Sequence, residues 1–208
     1  MDRILSPAER TALAELVAKM ESATAGEIVT VVLKRSASYS SYRIGWAIGL
    51  ALFVTAGAHL LWPALPAMDL LGAEAVLFAL AYAVLGFPAL LRLIVPRPIQ
   101  RKATNERAKR LFLDLGVSET RDRSGVLICL SELEHRVEIL GDRGINEHLG
   151  ADAWRALVSD LVGSIRRGRA AEGLSAVIEK LGKELSAKFP PRPDDTNELE
   201  NHVIFEDG

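Results

Sequence analysis

Two regimes of hydrophobic patterning divide the chain. Over residues 44–68 no Asp, Glu, Lys or Arg interrupts 25 successive positions, whereas about 20 apolar residues suffice to cross a hydrocarbon core of about 30 Å as a helix. A second uncharged run, 75–91, is 17 residues long and lengthens to 22 when it begins at Leu70 and takes Glu74 into the interface. Pro63 and Pro66 fall where the first helix should stop, since proline lacks a backbone donor and disfavours helix in the residue before it. The pattern predicts transmembrane helices over 44–68 and 70–91, joined as a hairpin by a turn near Pro63 to Gly72.

On either side of the hairpin the periods are those of a water-soluble α/β domain. Ser6-Pro7-Ala8-Glu9 has the form of a capping box with proline at the first helical position, and the helix it starts sets Leu13, Leu16, Val17 and Met20 on one face. Residues 27–33 (EIVTVVL) are β-branched and almost continuously apolar, as suits a strand covered on both faces. Past the hairpin, 99–115 reads as a helix stopped by Gly116, with Ala108, Leu111, Phe112 and Leu115 as its stripe. Residues 125–133 and 136–140 read as two strands joined at a polar turn around Glu134 and His135.

Two amphipathic helices complete the order. The first, 151–167, carries Trp154, Leu157, Val158, Leu161 and Ile165; the second, 171–188, carries Leu174, Val177, Ile178, Leu181 and Leu185. Residues 190–208 are acidic and contain proline, which predicts a disordered tail. Within it, Val203-Ile204-Phe205 reads as a chance apolar triplet in preference to a short docking element. The soluble domain is thus discontinuous, 1–36 with 99–189.

Composition sharpens this reading. The 208 residues are 49% hydrophobic and 25% charged, an ordinary balance, but between Arg43 and Arg92 the only charged residues are Asp69 and Glu74, which excludes a plain soluble globule. A net charge of −2 and a pI near 6.1 give no basic surface for nucleic acid. The single cysteine, Cys129, has no intrachain partner. Lys34, Arg35 and Arg43 precede the hairpin and Arg92, Arg97, Arg101 and Lys102 follow it, so the positive-inside rule places both termini in the cytoplasm of a two-span inner-membrane protein. Tyr42, Trp46 and Trp62 sit where interfacial aromatics are expected. Asp2, Arg3, Glu9 and Arg10 interrupt any signal-peptide core.

Short catalytic signatures are missing: the chain has no phosphate loop, no H-E-x-x-H, no G-x-S-x-G and no cysteine pair. His59 falls near the outer interface of the first span, where a neutral imidazole is tolerated, and His135 and His148 read as solvated. Cys129 sits inside an apolar strand and reads as core. No intramembrane charge pair supports transport.

In order and in detail, the elements resemble the TPM domain family. The match covers about 130 residues and is strongest over 125–145, where Gly125-Val126-Leu127-Ile128, the charged turn from Glu132 to His135, Arg136-Val137-Glu138-Ile139 and Gly141-Asp142-Arg143-Gly144 follow one another. The resemblance implies a three-layer α/β/α sandwich, here interrupted by the transmembrane hairpin after its first strand. It also implies acid-phosphatase-like activity and divalent-metal binding, calcium for example. Two features depart from the family: the position of the hairpin, and Ile145-Asn146, where many members carry an acidic residue.

Asp142 is the leading candidate ligand, because glycines flank its loop at a strand end and ligands of open α/β sheets bind at such ends. Asp122 and Asp152 are further candidates, with Glu138 and Glu147 nearby in sequence, since hard cations need several oxygens. Asp142 is equally placed to pair with Arg143 or Arg123, and Asp152 to cap a helix. Arg166, Arg167 and Arg169 suit a helix C-terminus and, if they face a bilayer, anionic headgroups. The expectation is a membrane-anchored, cytoplasm-facing binding or accessory module with the lipid bilayer and a membrane protein as partners, and a metal-dependent phosphatase as the alternative.

Overall fold

A computed structural model describes residues 4–192, 198–199 and 203–206. The chain divides into two compact units, Met1–Ser36 with Arg101–Gly208, and Ala37–Gln100.

In the first unit, α1 (Pro7–Glu21) opens on its capping box: the Glu9 N–H donates to Ser6 Oγ at 3.3 Å and the Ser6 N–H to the Glu9 carboxylate at 2.7 Å. Next comes β1 (Ile28–Leu33); α5 (Arg97–Asp114), a single 3-10 turn (Val117–Glu119), β2 (Val126–Ser131) and β3 (Arg136–Gly141) stand on the far side of the insertion. A short α6 (Arg143–Asn146), α7 (Ala151–Arg166), α8 (Ala170–Lys188) and β4 (Val203–Glu206) complete the unit. The sheet runs β3-β2-β1-β4. β1 is parallel to β2, Ile28 opposite Val126, and to β4, Thr30 opposite Val203, whereas β2 and β3 are antiparallel.

Strand side chains alternate between faces, and each face has its own core. Ile28, Val32, Val126, Ile128 and Leu130 pack with Leu13 and Val17 of α1, Leu157 and Leu161 of α7, and Leu174, Ile178 and Leu181 of α8. Val29, Val31, Leu33, Leu127 and Cys129 pack with Ala108 and Leu111 of α5 and with Val117. Because both faces are covered, β1 and β2 have no position at which a polar side chain would meet water, and this is why they read as unbroken apolar runs. The result is an α/β fold with helices on either side of one sheet.

The tail departs from expectation. Val203–Glu206 is neither disordered nor a chance triplet but the fourth strand, with Val203 in the core, while Arg192 and Leu199 also have defined contacts. Other parts of the 190–208 segment, 193–197, 200–202 and 207–208, lie outside the described residues. The disorder argument averages over acidic neighbours. It takes no account of the outer edge of β1, whose unpaired backbone groups would face solvent without a partner strand.

The second unit contains α2 (Ser40–Leu61), α3 (Ala67–Val84) and α4 (Pro88–Ile94). Both predicted spans are corrected. The first stops at Leu61 rather than 68, ahead of Pro63; the second stops at Val84 rather than 91, because Pro88 cannot donate to the Val84 carbonyl and its ring crowds that position. At 1.5 Å per residue, the 22 residues of α2 and the 18 of α3 span about 33 Å and about 27 Å. Both are long and apolar enough to cross a membrane. Arg43 joins the start of α2 to the end of α3: it donates to the Tyr82 carbonyl at 2.9 Å and lies 4.1 Å over the Tyr82 ring. A Cβ at Gly86 would stand 2.7 Å from the Arg43 guanidinium, so a side chain there would make the arginine shift. Small residues, Ala47, Ala51 and Ala81, are the buried ones on these two helices.

Candidate functional site

Because β3 is antiparallel to β2, its carboxyl end brings Gly141 opposite Val126, beside the amino ends of β1 and β2. Asp142 therefore sits at the opposite end of the sheet from the carboxyl ends of the parallel strands, where open α/β sheets bind ligands. This corrects the positional argument that singled it out.

Two loops meet at that end. Asp142 is the N-cap of α6: its Oδ1 accepts from the Arg143 N–H at 2.7 Å and its own N–H donates to the Gly125 carbonyl at 2.8 Å. The Gly144 N–H donates to the Arg123 carbonyl at 2.9 Å. A Cβ at Gly144 would lie 2.6 Å from the Asp122 carbonyl oxygen and 2.7 Å from that of Arg123, so only glycine permits this approach. Oδ2 of Asp142 is buried without a hydrogen bond, 3.7 Å from Arg123 Nη1.

The other two predicted ligands are engaged elsewhere. Asp122 holds Arg192, whose Nη1 lies 2.9 Å from Oδ1 and 2.7 Å from Oδ2. Asp152 is in the first turn of α7, its side chain 91% exposed and paired with Arg155. Glu147 pairs with Arg143 at 3.0 Å. Asp122 and Asp142 thus share neighbouring loops, but their oxygens serve different arginines and caps, and Asp152 does not join them. Among the described residues no group of three or more His, Cys, Asp or Glu side chains is arranged to hold a metal ion. As placed, these aspartates do not fit a calcium site, and the arginines fill the role that a cation would.

The carboxyl ends of β1 and β2 carry a cluster that hydropathy patterning missed. Ser36, three residues beyond β1, donates its N–H to Glu134 Oε1 at 2.9 Å, and its Oγ lies 2.9 Å from Ser131 Oγ and 3.1 Å from Thr104 Oγ1. Ser131 in turn donates to Glu134 Oε2. Ser131, Thr104 and Glu134 are buried, so the cluster acts as a clasp that ties the residue before the insertion to α5 after it. The sequence signal was a serine at the close of an otherwise apolar strand and a glutamate in the turn after it.

Remaining candidates are quickly placed. Cys129 is fully buried, and burial pushes its thiol up to about 12, leaving it inert at neutral pH. His59 and His135 are exposed, and exposed His148 meets the Phe189 ring edge-on at 5.9 Å. Arg169 pairs with Glu172, and Arg167 donates to Ser164.

Comparison with known proteins agrees with this architecture. The solved structure of the BA42 protein from the psychrophilic bacterium Bizionia argentinensis has a TM-score of 0.62, with 20% identity, over 99% of this chain and 98% of that one. At that identity the likeness establishes a shared fold. No curated protein sequence matches. The family model for the TPM domain matches residues 90–184, which take in α5, the β2–β3 hairpin, α7 and most of α8. Over those residues, and in its two-faced sheet, the chain is similar to the TPM domain family.

Proposed function

We propose that this chain is a TPM-domain binding module held in a bacterial inner membrane by α2 and α3, with its termini and α/β unit in the cytoplasm. The observation that carries the reading is the inverted burial of the helical unit. On α2 and α3 the buried positions are alanines, while Phe53 is 77% exposed, Leu60 80% and Met68 76%. Water would penalise so much exposed apolar surface; a bilayer takes it as its solvent. The arginine and lysine flanks favour inward-facing ends.

Reporters fused to either terminus should register cytoplasmic, and a cysteine at Ala67 should react with an impermeant thiol reagent from outside the cell. External termini together with a protected position 67 refute the topology. Substituting Arg43, Arg97 and Arg101 with Glu should invert or destabilise the orientation.

Binding is preferred to hydrolysis because the aspartates of the loop pair are committed to arginines and a helix cap. Full-length protein in detergent, assayed on a generic phosphomonoester with and without calcium or magnesium, tests that choice. A metal-dependent rate abolished by Asp142→Ala would replace the binding reading.

A further inference from the structure

We propose that the outer edge of β1 is a recognition groove for an extended partner peptide of apolar-apolar-aromatic-acidic pattern, with β4 as a tethered copy of that ligand covering the groove. The proposal rests on the binding-module reading and names its partner class.

All four side chains of β4 are received: Ile204 packs against the core on the α5 face of the sheet, and the other three meet different partners. Val203 enters the core shared with α1 and α8. Phe205 lies under the Arg10 guanidinium of α1, 3.7 Å from its ring centroid, and Arg10 is aimed there by two hydrogen bonds to the Leu5 carbonyl. Glu206 pairs with Arg107 of α5. Arg10 and Arg107 come from helices on opposite faces of the sheet, so the edge is flanked by a cation on each side and complements an apolar segment that ends in a carboxylate. Main-chain pairing supplies the rest: the register runs from Thr30 opposite Val203 to Leu33 opposite Glu206, and the Lys34 N–H donates to the Glu206 carbonyl at 3.0 Å.

This is strand addition to a sheet edge, in which backbone bonds give affinity and side-chain pockets give specificity. Only Val203 among the four is buried, and the ladder is short. Residues 189–202 tether β4 to α8. Because β4 belongs to the same chain its pairing is intramolecular, so an untethered peptide competes only when it binds well or when β4 is weakened.

The test uses the full-length chain in detergent, wild type and Phe205→Ala/Glu206→Lys, titrated with a fluorescein-labelled peptide of the sequence of residues 201–208. The double variant should bind at least about tenfold more tightly than wild type, because its own strand no longer competes. Adding Arg10→Ala and Arg107→Ala should abolish that binding. Equal affinities, or no binding by a double variant that keeps the wild-type circular dichroism, overturn the proposal. Amide exchange on the wild-type chain decides the matter if the double variant does not fold: Lys34 should exchange through an opening that leaves Ile128 protected, and exchange of both only on global unfolding overturns the proposal. A disulfide formed on mixing Thr30→Cys chains with Val203→Cys chains would make a second copy the occupant and also overturn it. Phosphatase assays on the same samples separate the two readings: hydrolysis without peptide binding removes both, and neither activity removes the groove alone.

Discussion

Glu21 closes α1 with its carboxylate turned inward. Oε1 accepts from the Ile28 N–H at 2.7 Å, at the start of β1, and Glu27 stands beside it. Burial, partly offset by that hydrogen bond and reinforced by the Glu27 charge, raises the Glu21 carboxyl from its ordinary value of 4.5 to about 8. The folded chain therefore holds this proton more tightly than the unfolded chain does. The stability so contributed is complete below about pH 4.5 and is lost as pH rises to about 8. At about 1.4 kcal/mol per pH unit the gap corresponds to at most about 5 kcal/mol, and partial solvent access brings the expectation to about 2–3 kcal/mol.

Glu21→Gln removes the titration while its amide oxygen still accepts from Ile28 and its NH2 can donate toward Glu27. Urea unfolding of the full chain in detergent, followed by Trp154 fluorescence after Trp46→Phe and Trp62→Phe, reads the α/β unit alone, since the chain has three tryptophans. The variant should match wild type near pH 4.5 and exceed it by about 2–3 kcal/mol near pH 8.5. Carboxylates that do not interact with Glu21 titrate equally in both proteins and cancel, so the difference reads Glu21 together with its coupling to Glu27. A difference that stays flat from pH 4.5 to 8.5 would refute the buried-proton account.

Three further outcomes follow from single features. Thr30 is 1% exposed and, among the described residues, its hydroxyl has no hydrogen-bond partner, so Thr30→Val should raise stability by about 1 kcal/mol in the same unfolding assay. Gly144→Ala forces a methyl group onto two backbone carbonyl oxygens at 2.6 and 2.7 Å; it should cost about 2 kcal/mol or more and separate the loops of Asp122 and Asp142, seen as faster exchange of the Gly144 amide. Replacing residues 37–98 with a short Gly/Ser linker should leave a soluble, cooperatively folding α/β unit, since Ser36 and Thr104 already meet at 3.1 Å and loop closure costs little more with length. A non-cooperative, expanded product by calorimetry would show that the helical unit is part of that core.

Short-range physics was legible in the chain. The capping box at Ser6, the β2–β3 hairpin and the amphipathic α7 and α8 each follow from spacings within a few residues, because helix and strand periods are local properties. The unbroken apolar runs of β1 and β2 likewise announced a sheet covered on both faces. The second span was cut short only by Pro88, a local signal that length and hydropathy alone outweighed. What tertiary structure decided lies between distant residues. Whether Asp142 faces a ligand end depends on the direction of β3, and whether its neighbours are ligands or salt-bridge partners depends on Arg192, 70 positions from Asp122. The Glu198 N–H reaches Glu27 across 171 positions, and Val203–Glu206 became a strand because β1 had an edge to offer. Four residues carry too little periodicity to declare themselves; their conformation is set by hydrogen bonds and a hydrophobic socket that exist only after the rest of the sheet has formed.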